Sequence, residues 1–74
     1  MNERMNEHAQ AIERVDQALQ QNWERRNDVW AKFGRTGEYG EPELTASGKR
    51  QIKALAEERR NLEETAAALY RMRP

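Results

Sequence analysis

Residues 49–72, KRQIKALAEERRNLEETAAALYRM, hold their apolar side chains at Ile52, Leu55, Leu62, Ala66 and Leu69. With Arg59 standing where the spacing asks for one more apolar residue, the steps between these positions run 3, 4, 3, 4, 3. That alternation puts all six on one stripe of an α-helix, the a/d seam of a helix made to lie against others. One helix alone leaves such a seam in water. The rest of the chain must supply a partner, and whatever surface it fails to cover needs a second source.

The chain has 74 residues, which makes one domain near the size at which a core needs help from a disulfide, a metal or oligomerisation. It contains no cysteine, so a disulfide framework, a cysteine nucleophile and a thiolate metal site are excluded, and a reducing, intracellular setting is permitted. Leu, Ile, Val and Phe together number ten, while charged residues make up 35% of the chain at a net charge of zero. The core is therefore thin. Balanced charge with clear helical periodicity points to an ordered, elongated helical protein over a disordered one. No apolar run approaches membrane-spanning length, and residues 1–11 are polar where a signal peptide needs its apolar segment. The expected location is the cytoplasm, with no membrane partner.

Upstream, no Pro or Gly interrupts residues 2–33, and apolar side chains recur at Met5, Ala9, Ile12, Val15, Leu19, Trp23, Val29, Trp30 and Phe33. Counting Arg26, the steps from Ile12 to Phe33 by way of Trp23 and Trp30 are 3, 4, 4, 3, 4, 3, the eleven-residue spacing of a nearly straight helix. Such a helix is roughly 45 Å long. Gly34 follows Phe33 as the expected left-handed stop. Residues 34–45 hold three glycines and Pro42 and are assigned to loop, longer than the usual helix connection, with Tyr39 free to cover the hairpin end or reach a partner. No β strand is expected in the second half of the chain. Thr45, ahead of Ser47, is the expected N-cap of the second helix; Arg71 and Arg73 suit its C-terminal dipole and Pro74 ends the chain.

The expected fold is therefore all-α: a two-helix antiparallel hairpin, about 2–33 and 46–72, that completes a helical bundle by oligomerisation or by docking on a partner. Counting from the loop, Trp30 and Phe33 should meet Ile52 and Leu55. Trp23 and Arg26 should meet Leu55 and Arg59, and Leu19 and Val15 should meet Leu62 and Ala66. Residues before about His8 overhang. A lone pair of helices has no third layer to cover Trp23, Trp30, Leu55 and Leu62, and each large apolar side chain left in water forgoes about 1.5–3 kcal/mol.

Chemistry is sparse. His8 is the single histidine and lacks convergent ligands, so no metal is expected. The acids Glu57 with Glu58 and Glu63 with Glu64 are neighbours in sequence, which on a helix turns them about 100° apart and rules out a general acid/base couple. Ser47 and Thr45 have no nearby base, and Thr45, Ser47, Gly48 and Lys49 lack the glycine framework of a phosphate loop. No enzyme and no cofactor are expected. Arg26 and Arg59 fall near one level of the hairpin. Either both run along the apolar surface to water or, with Asn22 and Glu63, they form a polar layer that fixes register.

The expected partner-binding residues are Trp23, Trp30, Phe33, Leu55, Arg59 and Leu62, presented to a second copy or to a larger protein complex. Charge is uneven along the chain, and its basic end is the loop end. There Arg25, Lys32, Arg35, Lys49, Arg50 and Lys53 offer phosphate contacts with Trp30 or Tyr39 as stacking surfaces, opposed by Glu38, Glu41 and Glu43. Two antiparallel helices of comparable length with a/d patterning resemble the hairpin subunits of the Rop family of plasmid copy-number regulators. That resemblance, of architecture alone, implies a bundle of two hairpins that binds paired RNA loops, which makes a small nucleic-acid-binding regulator the alternative to a protein–protein interaction module. A tiny chain in need of a partner also fits a phage or plasmid accessory, such as a virion component or an inhibitor of a host complex.

Overall fold

The computed structural model describes residues 3–72, with side chains from residue 6 onward. Asn2, Arg73, Pro74 and the side chain of Met5 lie outside the described residues. Four elements follow in order: α1 (Glu3–Phe33), β1 (Gly34–Thr36), β2 (Pro42–Leu44) and α2 (Ala46–Arg71). The helices lie antiparallel as a hairpin 60 Å long and 18 by 17 Å across. Its Cα radius of gyration is 16.9 Å, where a compact chain of this length would have about 11 Å. Length in one direction leaves two layers at most in the others, so little can be sealed inside. Among the described residues the buried hydrophobics are Val29 and Leu44.

The connection differs from the expected loop. Pro42–Leu44 is a strand in the half of the chain where none is expected, paired antiparallel with Gly34–Thr36 in the register Gly34 to Leu44, Arg35 to Glu43 and Thr36 to Pro42. Strands this short carry no alternating apolar pattern to announce them. They are set instead by the helix ends: the Thr45 amide donates to the Phe33 carbonyl at 3.1 Å, which carries the antiparallel pairing straight from helix into ribbon. The ribbon extends the hairpin without displacing either helix. Its tip is closed by the Gly37 amide donating to the Glu41 carbonyl at 2.6 Å, with Gly40 at φ 82°, a conformation glycine adopts freely. Tyr39 stands out from this tip, 89% exposed, and does not cover the hairpin end.

Gly34 is needed for a different reason from the one its position suggests. It is not left-handed, since Gly40 has the positive φ. A β-carbon there would collide with the Trp30 carbonyl oxygen and touch the indole. Gly48 is the inter-element contact: a β-carbon on it would lie 2.7 Å from that of Phe33 and 3.3 Å from Leu44 Cδ2. Phe33, Leu44 and Gly48 thus lock the loop end together. As expected, Thr45 caps α2, its hydroxyl accepting from the Gly48 amide at 3.2 Å.

Candidate interaction surface

The inner face of α1 is set by burial. His8, Ile12, Val15, Leu19, Asn22, Arg26, Val29 and Phe33 are its buried and half-buried seam positions, spaced 4, 3, 4, 3, 4, 3, 4. Asn22 and Val29 thereby take the places expected of Trp23 and Trp30. One residue along a helix is about 100° around it, so both indoles are turned off the seam, Trp23 to 53% and Trp30 to 42% exposure. Asn22 meets Leu55 from the seam, donating from Nδ2 to the Leu55 carbonyl at 2.8 Å.

Of the expected partner-binding residues, Phe33, Leu55 and Leu62 are half-buried, whereas Trp23, Trp30 and Arg59 are exposed. An open groove along one side of the hairpin brings Asp16, Leu19, Trp23 and Arg26 of α1 together with Arg59 and Glu63 of α2. Its floor is polar. Asn22 is fully buried with Oδ1 unpaired, and the buried Nε of Arg26 also lacks an acceptor among the described residues. Arg59 behaves differently from Arg26, for it reaches solvent and pairs with Glu63 one turn on, Nε to Oε1 at 3.4 Å. Arg26 and Arg59 therefore share the groove but not an environment.

The opposite side of the hairpin is already neutralised. Arg25 bridges to Glu58 across the helices at 3.8 Å, and Lys32 pairs with Asp28 at 3.0 Å. Arg35 pairs with its strand neighbour Glu43 at 3.6 Å. Half of the six expected phosphate-contacting residues are thus held by carboxylates, while Lys49, Arg50 and Lys53 project from the start of α2 as exposed side chains. Among the described residues no three His, Asp or Glu side chains converge as metal ligands, and no helix is long and apolar enough to cross a membrane. No protein-family model, curated protein or solved structure matches the chain.

Asn22 and Val29 hold the inward positions that the aromatic-led spacing gives to Trp23 and Trp30, and Asp16 lines the groove without having been singled out. A strict heptad count from Ile12 would have found the first two, given the same allowance for a polar residue that Arg59 received. Tyr70 is 53% exposed near the far end of α2.

Proposed function

We propose that the chain is a non-enzymatic protein–protein interaction module, a helical hairpin that completes a bundle by self-association or by docking along the helices of a larger protein. The observation that carries this is the exposure of both tryptophans, 53% and 42%, on a subunit whose buried hydrophobics are Val29 and Leu44 among the described residues. Tryptophan is the residue most often found at the energetic centre of an interface, and covering each indole is worth about 1.5–3 kcal/mol. That is a large share of what a domain this small can hold in reserve. Nucleic-acid binding has weaker support, because three of its six candidate cations already face carboxylates.

The test is sedimentation of the untagged protein across a concentration series, together with identification of what copurifies. A concentration-dependent dimer or larger assembly, or a stoichiometric protein partner, is expected. A monomer that copurifies with nothing and melts cooperatively at the same temperature at every concentration overturns the proposal.

A further inference from the structure

The groove carries two stripes with an internal symmetry. On α1, the groove is lined by Asp16, Leu19, Gln20, Trp23 and Arg26; the stripe 16, 19, 23, 26, extended by one heptad each way to Ile12 and Trp30, has its positions placed symmetrically about Gln21. Reversed about that point, Asp16 falls on Arg26, Leu19 on Trp23 and Ile12 on Trp30. On α2, Arg59 and Glu63 are placed the same way about Asn61, and the same reversal sets Ala56 on Ala66 and Ile52 on the exposed Tyr70. The two midpoints lie within one residue of the same level. Phe33 and Gly48 touch at the loop end, and thirteen residues back from one and thirteen on from the other are Gln20 and Asn61.

We infer that the groove is filled by the same groove of a second copy, laid antiparallel so that α1 meets α1 and α2 meets α2 about a two-fold axis at this level. The inference rests on the interaction-module reading and names its partner. One axis then matches every acid in the groove with an arginine and every tryptophan of the stripe with an aliphatic side chain of the second copy. It also brings Asp16 of the second copy over the half-buried Arg26 side chain. The opposite orientation fails this test. With both loops at one end α1 would lie on α2 of the second copy, and the loop-end register would put Asp16 over Thr65 and Arg26 over Leu55, leaving both charges without partners. The other side of the hairpin offers a poorer match, since the same axis sets Arg25 on Gln17 and Glu58 on Glu64.

Two charge variants test it. Arg26→Glu with Arg59→Glu makes the four matched positions all acidic, and Asp16→Lys with Glu63→Lys makes them all basic. Each variant should self-associate at least tenfold more weakly than the natural chain at low salt, because four attractive pairs across the axis become four repulsive ones. An equimolar mixture should restore the dimer, since every acid of one chain then faces a base of the other. Far-UV helicity is followed alongside; if a variant alone loses helix, recovery of helix and dimer only on mixing still supports the arrangement. A dimeric natural chain whose variants associate as well as it does, or whose mixture fails to reassemble, overturns this geometry and leaves the interaction module standing. A natural chain that stays monomeric at every concentration overturns the second copy as occupant.

Discussion

Replacing Asn22 with Leu should make the protein more stable. The side chain is fully buried, and its amide makes one hydrogen bond, to the Leu55 carbonyl at 2.8 Å, while Oδ1 has none. That hydrogen bond contributes about 0.5–1.5 kcal/mol net, and a buried acceptor without a partner costs about 1–3 kcal/mol. Leucine has the same branched skeleton, removes the orphan and buries apolar surface worth about 1.5–3 kcal/mol, less about 1 kcal/mol for its extra bulk. The balance favours the variant by roughly 1–3 kcal/mol, which in a chain of this size raises the melting temperature by roughly 5–20 °C. Thermal and urea melts followed by far-UV circular dichroism measure this directly. They are run at matched protein concentrations because association adds to apparent stability. Asn22→Asp should move the other way by about 3 kcal/mol or more, as it turns a carboxylate toward the Leu55 carbonyl in a dry layer. A Leu variant that melts below the natural chain would refute the reasoning, for it would mean that the amide is fully satisfied where it lies.

Other consequences are as direct. Thr45→Ala should cost about 1 kcal/mol by removing the hydroxyl that accepts from Gly48, and Thr45→Ser should recover most of it in the same melts. Gly48→Ala improves helix propensity by about 1 kcal/mol, yet its new carbon would sit 2.7 Å from Phe33 Cβ. With overpacking at about 1–3 kcal/mol, a net loss is expected, and a higher urea midpoint would show the loop end to be looser than this. Trp23→Gln should leave helicity unchanged while weakening association, and dilution of the natural chain should shift tryptophan emission to the red as both indoles return to water. An emission maximum independent of concentration would count against any interface on that side.

The two helices, their antiparallel return and the Thr45 cap were legible because each depends on local rules: apolar residues every three or four positions, a hydroxyl before a helix and a break between periodic runs; the eleven-residue spacing read on α1 gives way to a strict heptad seam. Period alone does not say which of two stripes one position apart will turn inward. On α1 the aromatic stripe through Trp23 and Trp30 and the heptad through Asn22 and Val29 share Ile12, Leu19, Arg26 and Phe33, and hydrophobicity favours the former. The structure takes the latter: Asn22 reaches the Leu55 carbonyl and the bulkier indoles lie outside. The ribbon was hidden for a related reason, since GRT and PEL pair through backbone groups brought together by Phe33 and Thr45 rather than by side-chain pattern. The sequence by itself determined that the chain makes long amphipathic helices with too little apolar material to close a core. Only the tertiary structure decided which side chains stay outside, because that depends on the rotation of one helix against another, a quantity set by contacts between residues distant in the chain.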